Sequence, residues 1–255
     1  MGISALVLTY NDEQRIERCL RGVAFADELI VVDSFSTDRT VEIARRFGAV
    51  VSAREFTGFS DQWNAAIAQA TQDWILIVGS DEVVPDELAA EIKEAVRSSH
   101  YAGYSMPRLT YFLGRPIRHC GWYPDYQLRL ARRSVSRIPN RLVHETLEVE
   151  GKVGRLKNAL MHYSFPTIES FCIKMVRYAK AAAQQKMVEG RRFRLADIVF
   201  TPGLTFLKMY VSKLGFLDGF RGLLVCALSS VSVLLRYATL WELSARARKE
   251  IKDDV

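Results

Sequence analysis

One apolar run that stops abruptly on acids constrains this chain most. Trp74-Ile75-Leu76-Ile77-Val78 gives way to Gly79-Ser80-Asp81-Glu82. A continuous apolar run of this length reads as a strand buried on both faces, as in a parallel sheet covered by helices. Its carboxyl end then carries two acids to the edge of the sheet, where ligands bind in open α/β folds. Two acids there suit a divalent cation, and a divalent cation suits a phosphorylated substrate.

The neighbouring segments fit the same plan. Residues 3–8 form a short apolar run that closes on Thr9-Tyr10-Asn11-Asp12, and residues 13–22 read as a helix with Ile16 and Leu20 on one face. A second run, 29–32, ends on Asp33-Ser34. Ser36-Thr37-Asp38-Arg39-Thr40 is a polar loop with capping residues, and it starts a helix that runs to Phe47 with Gly48 as its C-cap. Residues 49–52 and 74–78 supply two more strands, and 60–70 and 85–98 two more helices, the last opened by Pro85. Strands alternating with helices predict an α/β fold, a Rossmann-like, mostly parallel sheet flanked by helices. After Tyr101 the expected strands 104–107, 127–131 and 156–163 lie among loops rich in Arg, Pro and aromatics. The expected organisation is a catalytic domain over 1–165, with a nucleotide-binding half (1–98) and an acceptor half (99–165). A helical, basic and apolar region over 166–255 follows.

At 255 residues, 49% hydrophobic and 25% charged, the chain can bury a full core. Its net charge of +6 suits an anionic partner: a nucleotide, a nucleic acid or an anionic membrane surface. Nucleic acid is set aside, because the basic residues cluster beside apolar helices without interleaved stacking aromatics. Cys19, Cys120, Cys172 and Cys226 are scattered without metal-ligand spacing, as expected for reduced thiols in the cytosol. The first ten residues read as a strand and not as a signal peptide.

Five constellations carry candidate chemistry. Thr9, Tyr10, Asn11 and Asp33 end neighbouring strands, where an acid suits hydrogen bonds to a ribose or base; alternatively, Asn11 and Asp33 cap the turns that follow. Asp81 and Glu82 could hold a hard cation, or complement the dipole of the next helix. His119-Cys120-Gly121-Trp122-Tyr123-Pro124-Asp125 is a rigid aromatic loop, either a floor for a sugar ring with Asp125 as proton acceptor, or simply core packing. His144-Glu145 and His162 place two of the chain's four histidines in the following sector. His162 could complete a metal site, though a lone His is as readily structural. Finally, Lys174, Arg177, Lys180, Lys186, Arg191, Arg192 and Arg194 precede an apolar stretch punctuated by Pro202, Gly203, Gly215, Gly219 and Gly222. Its longest uncharged run, Gly222 to Leu235, has 14 residues, short of the roughly 20 that span a bilayer. A surface lying on anionic lipid fits; a helical subdomain or a homo-oligomer interface is the alternative.

The order of these motifs resembles the family-2 glycosyltransferases of the GT-A fold. The resemblance rests on Leu8-Thr9-Tyr10-Asn11-Asp12-Glu13, on Val31-Val32-Asp33-Ser34 through Thr40, on Gln62-Trp63-Asn64-Ala65-Ala66 and on Asp73-Trp74-Ile75-Leu76 through Glu82. His119 through Leu130, then Val143-His144-Glu145, Gly151-Lys152-Val153-Gly154 and His162-Tyr163-Ser164 resemble one branch, the lipopolysaccharide inner-core β-1,4-glucosyltransferases. The likeness runs from about residue 3 to residue 241. It implies that Thr9, Tyr10, Asn11, Glu13, Asp33, Asp61, Gln62, Asn64, Ser80 and Asp81 bind a nucleotide sugar, with Asp33 near the uracil and ribose. It further implies that Asp81 and His162 hold Mg²⁺ or Mn²⁺, with His144 as the alternative ligand. Asp125 would be the catalytic base. Trp122, Tyr123, Arg129, His144 and Glu145 would meet acceptor or phosphates, with Arg132 nearby. Gly79 departs from the pattern, standing where these enzymes usually carry Asp and removing one carboxylate from the site.

The expected activity is inverting transfer of a hexose from a UDP-sugar to a lipid-anchored glycan at the cytoplasmic face of the inner membrane. A polyprenyl-phosphate acceptor, or a weakened relative that serves as a binding scaffold because of Gly79, are the alternatives.

Overall fold

The computed structural model describes residues 1–97, 100–139, 147–191 and 193–253. The chain divides into two compact units, one of residues 1–109 and 124–163, the other of residues 110–123 and 164–255. Residues 110–123, expected in the acceptor half of the catalytic domain, therefore belong to the second unit.

The first unit is built on strands β1 (Ile3–Thr9), β2 (Glu28–Asp33), β3 (Val50–Ala53) and β4 (Trp74–Gly79). They pair in parallel in the order β3-β2-β1-β4. Further described strands are β5 (Glu82–Val83), β6 (Gly103–Phe112), β7 (Arg115–Pro116), β8 (Asp125–Arg132), β9 (Ser136–Arg137), β10 (Glu148–Val149), β11 (Val153–Arg155) and β12 (Leu160–Phe165). The sheet continues β4-β8-β6-β12-β5; β7 and β11 also pair with β6, and β9 and β10 form a separate ribbon. β8 runs antiparallel to both β4 and β6. A mostly parallel sheet that acquires antiparallel strands past β4 is the mixed α/β architecture expected from the sequence.

Side chains of β4 alternate between two cores, as strand geometry requires. Trp74, Leu76 and Val78 enter one cluster, and Ile75 and Ile77 enter the other. All five are buried. Helix α1 (Ile16–Val23) covers the first face with Ile16, Cys19, Leu20 and Val23, one i, i+3, i+4, i+7 stripe. Helix α2 (Thr40–Arg46) adds Ile43 and Ala44 to that face, and α4 (Asp86–Ala95) adds Leu88 and Ile92. Helix α3 (Phe59–Gln69) covers the other face with Ala66. β1 has β2 on one side and β4 on the other, so the connections diverge at its carboxyl end. That switch point is where open α/β sheets leave a crevice.

The second unit is helical. α5 (Ile168–Val188) opens on a capping box: Thr167 Oγ1 accepts from Ser170 N at 3.0 Å, and Ser170 Oγ accepts from Thr167 N at 3.2 Å. α6 (Leu195–Leu207) and α7 (Gly219–Asp253) follow, joined by one π turn (Lys208–Ser212) and one 3₁₀ turn (Gly215–Asp218). Pro202 and Gly203, read from sequence as breaks, lie inside α6, and Gly222 lies inside α7. Gly222 serves close approach: a Cβ there would stand 1.9 Å from the Gly215 carbonyl oxygen. The expectation that the apolar stretch is too short to span a membrane is also revised. Among the described residues, the segment Gly215–Arg246 contains an 18-residue window of mean hydropathy 1.8, 28% of it buried. By length and composition alone it can cross a bilayer. Phe200, Leu204, Phe220 and Trp241 all lie exposed on these helices.

Candidate active site

The first loop of the crevice is built around Asp12. This residue is buried, and its carboxylate accepts from Ser80 Oγ at 2.6 Å, from Thr9 Oγ1 at 3.4 Å, and from the Arg15 guanidinium. It ties the end of β1 to the end of β4. Thr9 and Ser80, expected to face a nucleotide, therefore point into this network, while Tyr10 is exposed. Asn11 adopts φ 50°, and its Oδ1 accepts from Thr37 N at 2.9 Å. Asp33 is buried, and its Oδ2 accepts from Ser36 N at 2.8 Å. Glu13 Oε2 accepts from Arg39 N at 3.1 Å. Asn11 and Glu13 thus lock the β1 and β2 loops to each other, while Asp33 caps the β2 loop through Ser36, in the manner of turn-capping side chains.

The α3 residues divide by direction. Gln62 is buried, and its Nε2 donates to the backbone oxygens of Arg54 at 3.1 Å and Glu55 at 3.0 Å; its Oε1 has no hydrogen-bond partner among the described residues. Asp61 pairs with Arg54 at 2.7 Å and with Thr57, whose hydroxyl above all, with Arg54 after it, holds the carboxyl below its usual range. Asn64 Nδ2 donates to Ile138 O at 2.8 Å and its Oδ1 accepts from Ile138 N. Gln62 and Asn64 therefore fix backbone on either side of α3.

At the end of β4 the acids separate into two roles. Asp81 Oδ2 lies 3.4 Å from His162 Nε2, both side chains being partly buried. The antiparallel register of β12 with β5, which sets His162 opposite Glu82, brings them together. An oxygen donor beside an imidazole suits a hard or borderline divalent ion that takes its remaining ligands from phosphates and water. Among the described residues no set of three His, Cys, Asp or Glu side chains converges as a cage. Asp81 and His162 fit a cation shared with a substrate, and not one held by protein alone.

Glu82 turns the other way. Its side chain is 2% exposed; Oε1 accepts from Arg129 at 2.8 Å and lies 3.7 Å from Arg108, while Oε2 accepts from Gly79 N at 2.8 Å. Arg108 in turn grips Asp125 Oδ2 through Nε at 3.1 Å and through its terminal nitrogen at 2.6 Å, and Gln127 donates to Asp125 Oδ1 at 2.7 Å. Asp125 remains 37% exposed. One chain of contacts, Arg129–Glu82–Arg108–Asp125, therefore joins the end of β4 to the start of β8. Beside it lies a cavity of about 400 Å³, bordered by Trp63, Tyr126, Gln127, Arg129 and Arg155. The Arg129 Nε on its border is buried and has no partner among the described residues. Arg132, expected near phosphates, instead stacks its guanidinium 4.9 Å from the Trp74 ring.

Asp12, Arg108 and Gln127 escape sequence reading. Asp12 was legible as a loop acid after β1, and its burial was not. Arg108 reaches Asp125 only through the β6–β8 register, which pairs the two residues directly. Cys19 lies below this region, and its Sγ donates to Gly79 O at 3.3 Å. Burial foremost, and then the charges of Glu82 and Asp81, push its thiol far up, which suits a core residue and not a nucleophile.

Residues 119–123 of the aromatic loop belong to the second unit. His119 N and Nδ1 contact Asp218 at 2.8 and 3.0 Å, and Cys120 and Gly121 take positive φ. Trp122 stacks on Phe171 and packs by Phe165, and Tyr123 is partly buried. The loop is thus employed in packing the helical unit. His144 and Glu145 lie outside the described residues.

Both the sequence and the fold resemble those of known proteins. A family model described as glycosyl transferase family 2 matches residues 4–144. An uncharacterized glycosyltransferase of Rickettsia prowazekii is 30% identical over 99% of this chain and 91% of its own length. The lipopolysaccharide core biosynthesis glycosyltransferase LpsC of Rhizobium meliloti is 26% identical over 98% of this chain and 96% of its own. Among solved structures, the mannosyltransferase PcManGT from Pyrobaculum calidifontis, in complex with GDP-Man and Mn²⁺, covers 94% of this chain and 87% of its own at 13% identity, with a TM-score of 0.60. That likeness carries the fold, which is GT-A.

Proposed function

The chain belongs to glycosyl transferase family 2, and we propose that it moves a hexose from a nucleoside-diphosphate sugar to a lipid-anchored glycan, with inversion at the anomeric carbon. The observation that carries this reading is the placement of Asp125. Its carboxylate stands at the head of β8, half-open to solvent, oriented by Arg108 and Gln127. Each carboxylate oxygen has two acceptor positions. Arg108 loads Oδ2 twice, so Oδ1, with one bond from Gln127, is the oxygen that takes the proton of an acceptor hydroxyl. The freed alkoxide attacks the sugar from the face opposite the leaving diphosphate.

Asp81 and His162 would hold Mg²⁺ or Mn²⁺, which when bound offsets charge on the departing diphosphate. Asp33, Asn11 and Glu13 keep the β1 and β2 loops in one arrangement, which supports a nucleotide pocket at the switch point. Arg129, paired with Glu82 and with a buried Nε that has no partner among the described residues, supports an anionic substrate in the adjoining cavity. A core-glycan acceptor is supported by the likeness to LpsC along nearly the whole chain. The exposed apolar helices support work at the inner face of the cytoplasmic membrane, where such an acceptor is reached.

Replacing Asp125 by Asn keeps shape and removes the base. General-base assistance contributes roughly 10²- to 10⁴-fold. Turnover with a lipid-linked oligosaccharide acceptor should fall by that order, while UDP-sugar affinity measured by calorimetry should hold. Turnover near that of the unmodified chain would remove Asp125 from this role.

A further inference from the structure

The helical unit contains a cavity of about 340 Å³ that the sugar-transfer site does not use. That volume lies at the lower end of ligand cavities, roughly 300–1,000 Å³. Trp122, Phe165 and Phe171 wall it, and two cations, Lys174 and Arg236, border it; no Asp or Glu is among its described lining residues. Lys174 Nζ is held by Ser164 Oγ at 2.8 Å and lies 5.3 Å from the Phe165 ring. Arg236 is different: its Nε is buried and has no hydrogen-bond partner among the described residues. A buried donor without a partner is costly, and a charged one more so. An anion entering the cavity would satisfy it.

The same cavity shows what the anion is attached to. Ser229, Ser232 and Arg236 all border it and lie three and four residues apart on α7, one polar stripe on one helical face. Apart from Lys174 and from Thr205, whose hydroxyl donates to Thr201 O, the remaining wall is aromatic, thioether and aliphatic, a poor host for a fully hydrated inorganic ion and a good one for a hydrocarbon chain. α6 and α7 also present exposed Phe200, Leu204 and Phe220, apolar surface of the kind that meets a bilayer. We propose that this cavity binds the phosphate-bearing head group of a membrane lipid, with Arg236 and Lys174 on the phosphate and the Trp122–Phe165–Phe171 wall on the first methylenes of the chain. This goes beyond the sugar-transfer reading and does not depend on it.

The test is calorimetric titration of the full chain with dihexanoyl phosphatidic acid below its micellar concentration, beside dihexanoyl phosphatidylcholine and inorganic phosphate. Phosphatidic acid should bind, and Arg236→Met should weaken it at least tenfold. Ser232→Trp fills the cavity without touching a charge, and should abolish the binding. Circular dichroism melts of both variants establish that they fold, and a UDP-sugar titration of each reads the other site. Equal binding of the choline lipid, indifference to both substitutions, or inorganic phosphate binding as tightly as the lipid would each overturn the proposal. If UDP-sugars do not bind while phosphatidic acid does, the sugar-transfer reading fails and the lipid site stands.

Discussion

The carboxylate of Glu82 folds back to accept a hydrogen bond from the backbone nitrogen of Gly79 at 2.8 Å. It stands beside the position a side chain at 79 would need. A Cβ at 79 would lie 3.3 Å from Glu82 Oε2 and 3.1 Å from Asp81 Oδ1, tighter than ordinary contact. The missing acid at this strand end is thus matched by an acid three residues on, turned inward.

Gly79→Asp should therefore crowd a third carboxylate against two. Without divalent cation the variant should melt below the unmodified chain. Added Mn²⁺ should raise its melting temperature by more than it raises that of the parent, because an ion bound to the native state stabilises it. Differential scanning fluorimetry with EDTA and with Mn²⁺ reads both effects. Equal Mn²⁺ shifts in the two proteins would count against crowding of like charges.

Glu82→Gln removes the charge that Arg129 and Arg108 share. Taking one partner from a buried ion pair costs about 3–5 kcal/mol, and the amide still accepts from Gly79 N, so the lower end applies. Urea denaturation should register about 3 kcal/mol. A loss under about 1 kcal/mol would mean that the pairing with Arg129 contributes little.

If Asp81 holds the metal as proposed, Asp81→Ala should abolish any rise in melting temperature that Mn²⁺ produces with UDP-sugar present, since one carboxylate would then do work that two could share were an acid at position 79. His162→Ala should reduce that rise. Should Asp81→Ala keep metal-dependent transfer, Asp81 is not the ligand.

Phe200→Asp with Phe220→Asp places charge on the exposed apolar surface of α6 and α7. Co-sedimentation with vesicles containing anionic lipid should fall several-fold, with UDP-sugar binding unaffected. Undiminished sedimentation would assign that surface to another partner.

The four parallel strands were legible because their signal is local. Burial on both faces of β4 writes five apolar residues in a row, and the i, i+3, i+4 stripe of α1 is visible in ten residues. Asp81 was legible for the same reason, since a strand end is a sequence position. Arg108 was not: nothing around Pro107-Arg108-Leu109 announces a partner 17 residues on, and only antiparallel register selects it. The sequence leaves Trp122 open between a sugar floor and core packing, because a Gly- and Pro-flanked aromatic loop has the same sequence in either case, and only the structure shows its ring stacked on Phe171. Pro202 and Gly222 signalled breaks by propensity, and packing of α6 and α7 overrode it. His144 and Glu145 lie in the stretch the structure does not describe.

The pairing of Arg108 with Asp125 across β6 and β8 bears on how this protein can change over evolutionary time. Side chains alternate faces along a strand, so inserting or deleting one residue in β6 before Arg108 would send its guanidinium to the opposite side of the sheet. Asp125 and Glu82 would lose their common partner in one step. Substitutions along β6 can be sampled one at a time, whereas a change in its length needs a compensating bulge, of the kind the β6–β8 ladder already carries near Tyr104 and Ser105, to keep Arg108 on its face.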